Sequence, residues 1–369
     1  MQSMPASAFR AWTGSMFFLL SWSLPAAAAE TAPDRQRVSF PDDRLAVHGL
    51  PWFEDDKPVL RRLPARLQSQ FRPAVWELAQ QPSGGRIRFR TDSTTVGLVA
   101  QNPRFSNMHH MPSVGENGFD LYVNRAYLGS AWPDGNGRIA KEWRLGSAGE
   151  MREITLYLPL YKAVSVSELN LDAGARLEAA APYATRRPVV YYGSSITQGG
   201  CASNAGGTCQ ALLERRLDAD FVNLGFSGNG LGEPAVAEAI AELEPSCIVL
   251  DFWANPSAEQ YAAALPVFVE VLRGKLPQVP ILVTSPFYFP AEAVSAEIAQ
   301  AQQSKRETAR RFVQQRRQAG DRRIRWVDGL KMLGPAQAVG LVDGVHCNSL
   351  GFYFNANGLE PALRKALQW

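Results

Sequence analysis

Pro188-Val-Val-Tyr-Tyr-Gly-Ser-Ser-Ile-Thr-Gln-Gly199 decides how the rest of the chain is read. A β-branched and aromatic run ends at Gly193, and two serines follow before the sequence turns polar and glycine-rich. Such a pattern predicts a buried strand entering a tight turn. Ser195 then stands at the C-terminal edge of a sheet, where ligands bind in open α/β folds. A serine in that position is a nucleophile only if a base and an oxyanion site lie elsewhere in the chain.

Working outward, the region after Arg187 alternates strand, turn and helix. Apolar runs at 189–192, 221–224, 247–253, 281–285 and 324–327 predict strands, and residues 210–217, 234–243, 258–276 and 293–317 predict helices. The alternation predicts a parallel, doubly wound sheet with helices on both faces. The third run carries almost no polar residue before Asp251, as a strand buried on both faces would. Upstream, residues 85–91, 95–100, 119–123, 153–158 and 165–171 read as short strands separated by Gly, Pro and Asn clusters. They predict an all-β sandwich over residues 30–182. The Ala-, Pro- and Arg-rich stretch 179–188 reads as the connection to an α/β domain at 183–369.

A chain of 369 residues suits two such domains, and a formal charge of only +3 offers no electrostatic reason to bind nucleic acid or an anionic membrane surface. The first 29 residues differ from the rest. Arg10, an apolar run over 12–24 interrupted by serines, and Pro25-Ala-Ala-Ala-Ala29 predict a cleaved signal peptide and export to the periplasm or beyond. No later segment is long and apolar enough to span a bilayer. All four cysteines, Cys201, Cys209, Cys247 and Cys347, lie in the second half. Two readings stay open for them: four free thiols, or a Cys201–Cys209 bridge that would stabilise by roughly 2–4 kcal/mol.

With four histidines in the chain, the search for a base is short. His48 lies near the start of the β region. His109 and His110 sit in the loop 105–112, which is expected to pack on or roof the second domain. Adjacent histidines point to different sides, and the local sequence holds no cysteine and few carboxylates, so no metal site is expected there. His346 lies in Asp343-Gly-Val-His346, just before a predicted C-terminal helix. A carboxylate three residues earlier can accept from one imidazole nitrogen and leave the other to face a serine. For the oxyanion, the second strand runs into the glycine-rich stretch 223–232 and the third ends near Asn255. That glycine run lacks the third glycine of a dinucleotide fingerprint, since Glu233 stands in its place, and no Gly-Lys-Ser or Gly-Lys-Thr occurs in the glycine-rich turns. Trp52, Trp76, Trp132 and Trp143 are read either as core or as a sugar-stacking face.

Gly193-Ser-Ser-Ile-Thr197, the 223–230 block, Asn255 and Asp343-Gly-Val-His346 resemble, in order, the four blocks of SGNH (GDSL-like) hydrolases. Ser194 stands where block one usually has aspartate, and block three keeps only its asparagine. Gly118-Phe-Asp-Leu-Tyr122 resembles the Gly-x-Asp-Leu-Tyr signature of a β domain that precedes such hydrolases in a bacterial subset. The resemblance implies a flavodoxin-like α/β/α hydrolase domain behind a jelly-roll-like β-sandwich. It also implies ester hydrolysis with neither cofactor nor metal.

Ser195, His346 and Asp343 are then expected as nucleophile, base and orienting acid. The Ser195 and Gly228 amides and the Asn255 side chain are expected as oxyanion donors, each worth on the order of 10²–10³ in turnover. Phe226, Trp253, Tyr288 and His110 are expected as substrate contacts. The expected substrate is a small acyl ester, acetyl above all, on a carbohydrate. A lipase or lysophospholipase, or a catalytically inactive glycan-binding protein, are the alternatives. Oligomeric state is not legible.

Overall fold

In a computed structural model that describes residues 35–368, the first half builds two antiparallel sheets. The expected signal segment, residues 1–29, lies outside the described residues. Strands β1 (Arg35–Ser39), β2 (Ala46–His48), β3 (Arg86–Thr91), β4 (Thr95–Gln101), β5 (Phe119–Val123), β6 (Ala126–Ala131), β7 (Arg138–Arg144), β8 (Arg152–Tyr157), β9 (Ser165–Asp172) and β10 (Leu177–Ala179) form it, with short helices α1 (Phe53–Asp56), α2 (Pro73–Ala79) and α3 (Ser113–Asn117). One sheet has the order β1-β9-β4-β7. The other runs β10-β3-β8-β5-β6, with β2 also paired to β3. Their inner faces share a core that includes Ile87, Phe89, Leu98, Phe119, Leu121, Ile154 and Leu169. All five expected strands are present.

Strands β6 and β7 were not legible. In β7 only Ile139 and Trp143, four residues apart, are buried. In β6 the outward Tyr127 and Leu128 obscure any alternation. A strand is visible as alternation only when every second residue is committed to the core.

The second half is a five-stranded parallel sheet of order β12-β11-β13-β14-β15, from β11 (Val189–Gly193), β12 (Phe221–Gly225), β13 (Cys247–Asp251), β14 (Ile281–Thr284) and β15 (Ile324–Val327). Helices α4 (Ser195–Gln198), α5 (Cys209–Leu217), α6 (Pro234–Ala241), α7 (Ala258–Lys275), α8 (Ala296–Gln318), α9 (Gly329–Met332) and α10 (Ser349–Leu367) connect and cover the strands. Strands β11, β12 and β13 are buried throughout, which explains why they read as continuous apolar runs. Helix α8 begins at Ala296 because Ser295 caps it, its hydroxyl accepting the Ile298 N–H.

Two buried arginines tie the halves together behind the sheet edge. Arg62 donates to the carbonyls of Leu78 (2.8 Å), Gln81 (2.7 Å), Asn223 (3.3 Å) and Gly225. Its guanidinium also stacks 4.8 Å from the Phe226 ring centre. Burial lowers its pKa to about 9. Arg86 of β3 pairs with Asp220 just before β12 and donates to the Tyr183 hydroxyl (2.8 Å) and the Phe221 carbonyl (3.1 Å). Buried polar groups satisfied this completely favour one placement of the halves, since any other would strand them.

Candidate active site

Strand β11 delivers the candidate nucleophile. It ends at Gly193, and Ser194, fully buried, caps α4 by accepting the Ile196 N–H at 3.2 Å. Ser195 is the first residue of that four-residue helix and is 7% exposed. Where family block one has aspartate, Ser194 therefore supplies a helix cap, and a carboxylate reaches the turn from the neighbouring strand instead. Asp251, at the end of β13, is paired in register with Gly193. It accepts from Thr197 Oγ1 at 2.9 Å, from Trp253 Nε1 at 2.8 Å and from the Thr284 hydroxyl. Burial pushes the Asp251 carboxyl up against the pull of those three donors.

Strand β12 supports the turn from its other side. Asn223 Nδ2 donates to the Thr197 carbonyl at 2.8 Å. At Gly225 a Cβ would lie 2.1 Å from the Gln198 amide nitrogen, so only glycine allows this approach. The β half closes the rear. Tyr161 donates its hydroxyl to the Ser195 carbonyl at 3.2 Å, and Gln198 Nε2 donates to the Leu160 carbonyl at 3.1 Å.

The structure brings Ser195, His346 and Asp343 together. Ser195 Oγ lies 2.8 Å from His346 Nε2, and His346 Nδ1 lies 2.7 Å from Asp343 Oδ2. The loop carrying the pair is a tight reversal. Leu341 and Cys347 form an antiparallel bridge, and the Val342 N–H donates to the His346 carbonyl at 2.8 Å. Gly344 makes the turn at φ +85°, a left-handed conformation that disfavours side chains. Asp343 Oδ1 accepts the N–H groups of Val345 (3.0 Å) and His346 (2.8 Å). Partial burial raises the Asp343 carboxyl, but these amides and the imidazole outweigh it and hold it at about 2. The carboxylate is therefore charged at neutral pH and favours the imidazole tautomer protonated at Nδ1, leaving the Nε2 lone pair toward Ser195.

Gly228 and Asn255 lie on the loops after β12 and β13, whose ends Gly225 and Asp251 both pair with Gly193. Asn255 Oδ1 accepts the Gly230 N–H at 3.0 Å, which orients the amide NH₂ away from that contact. Gly230 itself packs on Gly193 and Ser194, next to the nucleophile turn. Among the described residues, the Ser195 and Gly228 amides donate to no protein acceptor. The set has the ingredients of acyl transfer: a serine hydroxyl on an imidazole, an orienting carboxylate, and uncommitted donors at adjacent strand ends.

The expected substrate contacts fare unevenly. Phe226 is 0% exposed beneath Arg62, and Trp253 is 1% exposed between Phe287 and Phe289 with its indole N–H spent on Asp251. Neither can touch a substrate, because sheet-end packing has consumed both. Tyr288 is half-buried, and its backbone N–H donates to the Leu333 carbonyl. His110 does reach the site, its ring centre 5.7 Å from that of His346. The tryptophan platform is not a single face: Trp52 and Trp143 are buried in different cores, whereas Trp132 is 57% exposed. Cys201 and Cys209 are free, as are Cys247 and Cys347, and the bridge is absent. Burial pushes the Cys201 thiol up to about 12, so it is protonated at neutral pH.

Residues 186–364 match the profile of the GDSL-like lipase/acylhydrolase family, and residues 38–177 match that of the N-terminus of SGNH-hydrolase-type esterases. The chain belongs to the GDSL-like (SGNH) hydrolase family. The hydrolase resembles a GDSL-like lipase candidate from Bacteroides ovatus at 28% identity and TM-score 0.83, covering 91% of this chain and 98% of that one. It shares its fold with a salicylyl-acyltransferase from a tetracycline biosynthetic pathway (22% identity, TM-score 0.75, 90% and 97% covered). It also shares it with an acetyl xylan esterase from Butyrivibrio proteoclasticus (14% identity, TM-score 0.60, 92% and 100% covered). No curated protein matches. By reaction class the GDSL-like hydrolase is a carboxylic ester hydrolase.

The signature Gly118–Tyr122 has a physical role here. Asp120, buried, accepts the Gly206 N–H at 2.6 Å and the Ser130 hydroxyl, and the Tyr122 hydroxyl donates to the Gly206 carbonyl at 3.3 Å. The β half thereby pins the loop that leaves the nucleophile helix. Nothing in the local sequence pairs Asp120 with Gly206, 86 positions away.

Proposed function

We propose that this GDSL-like hydrolase is an exported serine esterase that removes small acyl groups, acetyl above all, from a carbohydrate. The observation that carries the reading is the Ser195 Oγ–His346 Nε2–Asp343 relay, at 2.8 and 2.7 Å. In the first step His346 takes the hydroxyl proton as Ser195 Oγ attacks the ester carbonyl. The tetrahedral oxyanion is held by the amides of Ser195 and Gly228 and by Asn255 Nδ2. Collapse expels the sugar hydroxyl, which receives the proton from His346. Water then attacks the acyl-serine through the same imidazole and restores the enzyme.

The carbohydrate preference is supported by the acetyl xylan esterase fold likeness together with the β half, and it is an argument by analogy. Export rests on the signal-like sequence of residues 1–29. A division into a β domain at 30–182 and a hydrolase domain at 183–369 is supported by the family profiles, which meet between 177 and 186.

Acetate release from 4-nitrophenyl acetate and from acetylated xylan, measured for wild type, Ser195→Ala and Ser194→Ala, tests the reading. Ser195→Ala is expected to abolish both activities. Ser194→Ala loses a helix cap, costing about 1 kcal/mol of stability, and keeps hydrolysis. Undiminished turnover by Ser195→Ala would sink the mechanism, and glycan binding without hydrolysis of any ester would favour an inactive binding protein.

A further inference from the structure

The loop 105–112 was expected to hold no metal site, since adjacent histidines point to different sides and no cysteine and few carboxylates lie near it in sequence. Folding brings a cysteine to it. Ligand atoms of His110, Cys201 and His346 all lie within 4.8 Å of one another. Three features make the cluster more than a coincidence of polar residues. First, His110 Nδ1 is buried with no hydrogen-bond partner among the described residues, although its ring lies beside His346. Second, Asp343 already holds His346 Nδ1 at 2.7 Å, which leaves Nε2 as the coordinating atom and places a carboxylate behind a metal-binding histidine. Third, Cys201 is a free, buried thiol, and its neighbour Gly200 packs directly on the His346 ring, so that a Cβ there would lie 3.2 Å from Cδ2.

We propose that His110, Cys201 and His346 form a binding site for a borderline-soft divalent cation, Zn²⁺ in type, that switches the esterase off. Two imidazole nitrogens and one thiolate leave a fourth tetrahedral position for water or for Ser195 Oγ. Ligand atoms around zinc stand roughly 3.4 Å apart, so the cluster closes by at most about 1.4 Å on binding. Binding releases the Cys201 proton to solvent and forms the metal–thiolate bond. It also occupies the Nε2 lone pair that must otherwise take the Ser195 proton. Inhibition therefore rests on the proposed role of His346, whereas cation binding does not.

The test uses the full chain with Zn²⁺ and Co²⁺ alone. Zn²⁺ is expected to inhibit 4-nitrophenyl acetate hydrolysis reversibly, with activity restored by EDTA. Cys201→Ala is expected to keep uninhibited kcat/KM and to raise the inhibition constant at least about tenfold, since one of three protein ligands is lost. Co²⁺ is expected to show a thiolate charge-transfer band in wild type and in the hydrolytically dead Ser195→Ala, but not in Cys201→Ala. A band in Ser195→Ala without inhibition of wild type would leave the site standing and overturn the switch. Equal Zn²⁺ inhibition of wild type and Cys201→Ala, or no thiolate band in any variant, would overturn the site itself.

Discussion

Replacing Asp343 by Asn tests the relay with little disturbance of the loop. In the native loop Asp343 Oδ1 accepts two backbone N–H groups while Oδ2 takes the imidazole Nδ1–H. Asparagine can keep its carbonyl on the two amides, at the cost of presenting NH₂ to Nδ1. The opposite amide orientation would face NH₂ toward both backbone donors and forfeit both bonds, at about 1–3 kcal/mol each. The retained orientation therefore wins, and it forces the proton onto Nε2, where the imidazole donates to Ser195 and cannot accept. For a fully buried acid the corresponding change costs about 10⁴ in turnover. Asp343 is exposed, and water can partly replace it, so the expected loss in kcat/KM is about 10²–10³, or about 3–4 kcal/mol of barrier. Steady-state hydrolysis of 4-nitrophenyl acetate at pH 7 to 8, alongside thermal melts, measures both halves of the argument. Activity within about threefold of wild type would refute the tautomer reasoning. A large fall in Tm would refute the claim that the loop survives. The carboxyl stays ionised down to about 2, so mild acidification leaves the Asp343 partner of the imidazole charged.

Two further perturbations address the scaffold. Burial raises the Asp220 carboxyl, but the Arg86 charge and His48 more than offset this and hold it at about 2. Its folded-state value is depressed, so its contribution is complete above the unfolded value of about 3.9 and is lost as pH falls through about 2. Asp220→Asn should cost about 2 kcal/mol in urea unfolding at pH 7 and clearly less near pH 2; the same cost at both would contradict the linkage. Asp251→Ala should strand the Thr197 and Thr284 hydroxyls and the Trp253 indole N–H, for about 3–5 kcal/mol of stability and a lower kcat. An unchanged Tm would show that the nucleophile turn needs no brace from β13.

Much of this protein is determined by sequence alone. The fully buried strands β11, β12 and β13 announce themselves as apolar runs, and the order of blocks from Gly193 to His346 names the family. Asp343 and His346 are also legible as a pair, because three residues on one turn suffice to join them. Tertiary structure decided what short-range pattern cannot encode. It set Ser195 against a histidine 151 positions away and pinned Gly206 to Asp120. It buried Phe226 and Trp253, which composition could equally have placed in a pocket. It also drew Cys201, which the sequence left as either a free thiol or half of a bridge, to His110 and His346. Local sequence sets which backbone state a segment prefers. Which side chains share a few ångströms depends on how separate segments pack, and the competition of apolar side chains for the same sheet end is settled only when every neighbour is in place.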